Sequence, residues 1–302
     1  MFISALAVDA TNVYWSASGS LKKVAVTGGT PVILAPANAA AIALDATNVY
    51  WADASGSIGK VAIEGGAATT LASAPGTPGG IAVDATNVYW TASSSGQGTV
   101  MQAPIEGGPL VVLASSQNAP QSISVDETSV YWANAGGAPA YGSVMKVPIG
   151  GGPSVKLATA PTGPTGLAID ASYVYWAEPG TWPNTAINGS LMRVALLGGS
   201  PDTLASPLWS TGPIALDATN VYTTYPGGLS AGGNSAWACA IGGCGAQPIG
   251  LGGGGPNSPT FFAAGPIAVD ATCVYWSSMP ACIDGSDQSP EGGWSILWKA
   301  AK

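Results

Sequence analysis

Histidine is absent from all 302 residues. Its absence removes Ser-His-Asp and Cys-His nucleophile systems, because no imidazole is available as base. No Gly-Lys-Ser phosphate loop occurs. Charge is scarce as well: 8% of residues carry it, 16 acids against 8 bases, for a net charge of -8. Lys and Arg never cluster, so the phosphate-neutralising footprint of a nucleic-acid binder is missing. An anionic membrane surface repels such a chain. Mean hydropathy is +0.30, yet no run of 18 or more apolar residues is free of Gly, Pro, Asn and Asp. No membrane insertion is expected. The opening "MFISALAVDA" has no basic head and is not read as a signal peptide.

What is present is glycine (43), proline (24) and a repeat. The run "IALDATNVYW" (Ile42 to Trp51) returns as "IAVDATNVYW" (Ile81 to Trp90). Seven copies place their aspartate at Asp9, Asp45, Asp84, Asp126, Asp170, Asp217 and Asp270. The spacing grows from 36 to 53 residues along the chain, a period that fits one four-stranded propeller blade. Helical blocks are missing between the strands, which argues against a parallel α/β fold.

One unit reads as follows. "IALD" (Ile42 to Asp45) alternates large and small residues, suiting an inner strand crowded near an axis. Asp45 and Asn48 suit a turn, since both hydrogen-bond nearby backbone. "VYWAD" (Val49 to Asp53) has the β-branched and aromatic residues of a second strand. "GSIGKVAI" (Gly56 to Ile63) is the third, "EGG" a tight turn and "TTLA" (Thr69 to Ala72) the outer fourth. Val49 and Trp51 point to one sheet face and Tyr50 to the other, so both faces pack against neighbours. Six units carry the tryptophan; the sixth has Thr223 instead, and looser packing is expected there.

These residues carry a family resemblance. "IAVDATNVYW" resembles the first two strands of NHL-type propellers, and "VYWAD" is similar to the YWTD repeat of receptor propellers. The resemblance spans all seven repeats and implies a binding or scaffolding module, although related propellers include lactonases and lyases. The histidine that lyase-type propellers use as base is missing. The fold expected is all-β: a seven-bladed β-propeller filling residues 1–302 as a single domain, in blades of four antiparallel strands. Fourth strands are countable only six times, so blade seven is expected to have three strands and an open edge, Met1 to Ser4 being too short to close it. An open edge invites pairing, hence oligomerisation through blade seven or a structural role in assembly.

The "DATN" and "xGG" turns stay short and share one face of the disc. The opposite face has the loops that vary, and function usually sits on variable loops of a rigid scaffold. Its aromatics, Tyr141, Trp182, Trp209, Tyr225, Phe261 and Phe262, suit stacking on a sugar or anchoring a peptide. The ligand-binding candidates are Tyr141, Trp182, Asn184, Trp209 and Tyr225; for Phe261 and Phe262 the plainer reading is loop packing. Asp53, Asn134 and Glu178 end second strands near the central mouth and rank below them. No cofactor is called for. Asp284, Asp287 and Glu291 lie within eight residues and are the candidate calcium ligands, with a solvated acidic loop as the plainer reading. The repeat aspartates are read as turn builders and no residue is assigned as catalytic. Lys23, Lys60, Lys146, Arg193 and Lys299, one per third strand, are read as partners for turn acids or carbonyls.

Four cysteines (Cys239, Cys244, Cys273, Cys282) allow three pairings; two local loops, Cys239 with Cys244 and Cys273 with Cys282, are favoured over four free thiols. Zinc lacks histidine ligands and paired C-x2-C spacing. Disulfides place the chain in an oxidising compartment: extracellular, at the cell surface or periplasmic. The function expected is non-catalytic recognition of a carbohydrate or protein ligand on the long-loop face. A carboxylate-dependent propeller hydrolase or lyase is the alternative, a two-carboxylate glycosidase being its open form.

Overall fold

A computed structural model describes residues 3–73, 76–95, 97–136, 141–180, 188–208, 211–225, 235–251, 264–278 and 296–302. They form seven antiparallel sheets over residues 3–35, 39–73, 77–118, 120–160, 166–208, 214–250 and 264–301. In each, strand order follows chain order from inner to outer. The inner strands lie side by side in a closed circle, that of blade seven (Ala264–Val269) against that of blade one (Ile3–Val8). This is a seven-bladed β-propeller. Among the described residues six blades have four strands and the last has three, as the repeat count implied.

The repeat unit folds as its residues dictate. In blade two the inner strand is Ala39–Leu44, followed by Asn48–Asp53, Ser57–Ala62 and Thr69–Ser73. Asp45 closes the first hairpin: its Oδ1 accepts from the Thr47 N–H, the Thr47 hydroxyl and the Asn48 N–H. At the turn before the outer strand Gly65 and Gly66 have φ of 92° and 131°, left-handed backbone that a side chain resists.

The core is divided into seven seams, each built by two neighbouring blades. Between blades one and two, Tyr14, Leu21 and Leu34 meet Val49, Trp51 and Val61. Between blades four and five, Tyr131, Val144 and Leu157 meet Val174, Trp176 and Val194. The repeat tyrosine thus faces the next blade and the tryptophan the preceding one, so both sheet faces are buried. Each such side chain stabilises by roughly 1.5–3 kcal/mol. The seam from blade seven to blade one joins Tyr275 and Cys273 to Trp15 and Val13, closing the ring by packing.

Cations on the third strands tie the same seams. Lys23 donates to the Ile63 carbonyl, Lys146 to Leu196, Arg193 to Ile241 and Lys299 to Val26, at 2.7–2.9 Å. Lys60 instead reaches Glu106 Oε1 at 3.3 Å. In blade six the equivalent position, opposite Tyr222, is Ala238. There the tie runs backward, from Lys302 of blade seven to Asp217 at 2.6 Å.

At the blade-six position that lacks the tryptophan, Thr223 is buried, its hydroxyl donates to the Pro213 carbonyl at 3.2 Å, and Trp237 stands opposite it on the third strand. The indole has moved one strand outward, onto the same side of the sheet. Of the two favoured disulfides, Cys239–Cys244 is present, while Cys273 is a buried free thiol. Cys273 opens the second strand at the "DATC" turn, whereas Cys282 follows that strand's far end and lies outside the described residues.

Candidate functional site: the axial cavity and the long-loop face

Every inner strand runs from the long-loop face toward its aspartate turn. The first residues of these strands therefore surround the axis beside the variable loops. They line a cavity of about 520 Å³ to which all seven blades contribute, with Leu6, Ile42, Ile81, Ile123, Leu167 and Ile267 as its apolar wall. Its polar lining is Ser4, Thr77, Ser93, Gln121, Ser122 and Thr165, and among the described residues no ionisable side chain lines it.

The hydroxyls around this end lock one blade to the next. Ser4 donates to the Ala39 carbonyl at 2.7 Å, and Thr91 to that of Gln121 at 2.5 Å. Thr165 donates to Thr211 O at 3.2 Å and Thr224 to Gly265 O at 2.9 Å. The rim is rigid before any ligand arrives, which lowers the entropic cost of binding. Gln121 is the exposed amide in this lining. Sequence reading missed it, because one glutamine in "APQSISV" carries no signal; only the closed ring brings it to the axis.

The second-strand residues expected near the mouth are occupied. Trp132 Nε1 donates to Asn134 Oδ1 at 3.2 Å, and Asn134 Nδ2 donates to Gln117 Oε1 at 3.1 Å. Trp176 Nε1 donates to Glu178 Oε1 at 3.0 Å, while Thr162 holds its Oε2 at 3.1 Å. Asp53 accepts the N–H groups of Asn38 and Ser55, both at 2.8 Å. None of the three lines the cavity. Asn134 and Glu178 give partners to indole N–H groups two residues earlier, which are costly to leave unpaired.

Of the loop candidates, Tyr141 is described, and it is 69% exposed. Tyr225 ends the second strand of blade six, opposite Ser235. Trp182, Asn184, Trp209, Phe261 and Phe262 lie outside the described residues, as do Asp284, Asp287 and Glu291. Among the described residues no group of three acids or cysteines is placed to hold a metal ion.

The shifted titrations at Asp9, Asp45, Asp84, Asp126, Asp217 and Asp270 have a structural cause. Burial pushes the Asp45 carboxyl up, but bonds from Tyr50, Thr47 and Asn48 outweigh it and hold the pKa below the usual range. Asp9, Asp84, Asp126 and Asp270 behave alike. Asp217 is driven furthest down, with Lys302 the first of its stabilising partners. The paired tyrosines move up through burial and then through their carboxylates, Tyr131 and Tyr222 to about 12.

No protein-family model matches the chain, and no curated protein matches its sequence. Solved structures match it in shape. A chain of the crystal structure of a nidogen/laminin complex is 20% identical with a TM-score of 0.61, over 85% of this chain and 97% of that one. Hydrazine synthase of Kuenenia stuttgartiensis gives 0.69 at 11% identity, over 93% and 96%. The computationally designed Ika8 protein gives 0.62 at 17% identity, over 92% and 82%. The shared feature is the propeller fold.

Proposed function

We propose that this chain is a non-catalytic recognition propeller, exported to an oxidising compartment, that holds an uncharged carbohydrate or protein segment on its long-loop face. The observation that carries this reading is the axial cavity. It opens beside the variable loops, draws on all seven blades and offers, among the described residues, hydroxyls, one amide and an aliphatic wall. Such a lining suits binding and orienting neutral groups. Tyr141 is positioned in sequence to extend it as an exposed aromatic anchor. The Cys239–Cys244 bond supports export, and the likeness to a propeller crystallised in a nidogen/laminin complex supports a protein partner and the YWTD-type reading. The hydrolase alternative loses Asp53 and Glu178 to structural hydrogen bonds.

The test is binding to glycan and peptide arrays by wild type, Gln121→Ala, Tyr141→Ala and Trp182→Ala. Binding weakened tenfold or more in these variants, at unchanged melting temperature, is the expected result. Full binding in all three removes the site from the long-loop face. Hydrolysis of an arrayed glycan would replace recognition with catalysis.

A further inference from the structure

Nearer the long-loop face than the aliphatic wall, the inner strands form an uneven tier around the axis. It consists of the residue two before each wall aliphatic. In four blades that residue is small: Ala40, Gly79, Gly212 and Gly265. In two it carries a hydroxyl, Ser4 and Thr165, and in blade four alone it is a long polar side chain, Gln121. Five inner strands bulge at this tier. Their pairing is interrupted between Ile3 and Ala5, Ala39 and Ala41, Pro78 and Gly80, Pro120 and Ile123, and Ala264 and Ile267. A bulge leaves its extra residue out of the ladder and re-aims the side chain.

The tier's two hydroxyls are spent on carbonyls of the next blade, Ser4 on Ala39 and Thr165 on Thr211. The Gln121 amide is exposed and has no hydrogen-bond partner among the described residues. A Cβ on Gly79 would lie 2.8 Å from Gln121 Cα, so the Gln121 backbone rests directly on blade three. Blade three also supplies Ser93, the one second-strand residue in the lining, which pairs with Thr77 of the inner strand. The Ser93 hydroxyl is buried with no partner among the described residues, a costly state that a polar ligand group relieves. Gln121, Ser93 and Thr77 thus make one polar corner of the cavity. The small residues elsewhere in the tier leave room beside it.

We propose that this corner selects the acylamino group of an amino sugar. The ligand of the recognition reading, on which this inference rests, is then the uncharged N-acetylhexosamine end of a glycan. Seven inner strands surround the cavity, so a ligand enters it end-on. A peptide terminus arrives charged, and no described lining residue offers the opposite charge; the non-reducing end of a glycan arrives neutral. The Gln121 carboxamide offers a donor and an acceptor to match the acetamido C=O and N–H. Ile81 and Ile123, two residues further along the adjoining strands, supply apolar surface for its methyl group. Ser93 and Thr77 supply hydroxyls for those of the sugar ring.

Calorimetric titration with the methyl glycosides of N-acetylglucosamine and N-acetylgalactosamine, against those of glucose and galactose, tests the assignment. Wild type is expected to bind at least one acetamido sugar about tenfold or more tightly than its parent hexose. Gln121→Ala is expected to erase that preference at unchanged melting temperature, because the side chain is exposed. Ala40→Leu narrows the tier and is expected to abolish binding. Equal affinity for acetamido sugars and hexoses, or a preference that survives Gln121→Ala, overturns the assignment. So does an absence of binding by both acetamido sugars. If peptides alone bind on the arrays, the sugar assignment falls and the recognition reading stands; if no array probe binds, both fall.

Discussion

The phenol of Tyr50 donates to Asp45 Oδ2 at 2.7 Å, across the hairpin that joins the two innermost strands of blade two. The same bond recurs in all seven blades, from Tyr14 to Asp9 through Tyr275 to Asp270, at 2.6–2.8 Å. One carboxylate oxygen holds the turn and the other anchors the ring that fills the next seam. Turn and core are thereby one device.

Tyr50→Phe keeps the ring and loses the bond. A hydrogen bond to a charged group at this half-buried site is worth about 1.5 kcal/mol. Asp45→Ala removes the turn contacts as well and is expected to cost more. Denaturant unfolding of both variants measures the order, and equal losses would assign the aspartate's role to the tyrosine bond alone.

Stability should form a plateau with pH. The lowered aspartates favour the folded state above their unfolded pKa, near 4, and lose that contribution as pH falls through their folded values. The raised tyrosines are neutral in the folded state, so their contribution is complete below about 10. It declines as pH rises from there toward 12, where Tyr131 and Tyr222 titrate. The unfolded chain binds more protons on the acid limb and fewer on the alkaline limb. Chemical denaturation from pH 2 to 12 should show both limbs; a flat alkaline limb would contradict the paired tyrosines.

Lys299→Met removes the tie from blade seven to the Val26 carbonyl while keeping the stem that covers apolar surface. A loss of about 1 kcal/mol is expected. Because the ring closes there, hydrogen exchange should rise first in Ile3–Val8. Lys146→Met breaks an equivalent tie in the interior of the ring and should leave that strand protected.

Reduction of Cys239–Cys244 opens a loop of sequence separation 5, worth about 2 kcal/mol in chain entropy. Alkylation of the native chain should spare Cys273, which is buried, and label it only on unfolding. Labelling of Cys273 without unfolding would show the seam between blades seven and one to be open.

Much of the fold was legible because its information is local and repeated. Asp45 needs only the next few residues to make its turn, and Val49-Tyr50-Trp51 needs only strand alternation to fill two seams. The missing fourth strand of blade seven was readable for the same reason. The placement of Trp237 opposite Thr223 was not, since the two are joined by strand pairing rather than by proximity in sequence. Asn134 and Glu178 looked like mouth residues until the indoles beside them were seen to need acceptors.

The sequence by itself determined the blade count, the strand order and the division into a repeating face and a variable one. Each follows from period, alternation and turn chemistry acting over a few residues. Only the tertiary structure decided what surrounds the axis, that Gln121 joins Ser4 and Thr165 there, and that Trp15 packs with Tyr275 where blade one meets blade seven. Those facts depend on residues far apart in the chain meeting where the ring closes, and no local pattern encodes such a meeting.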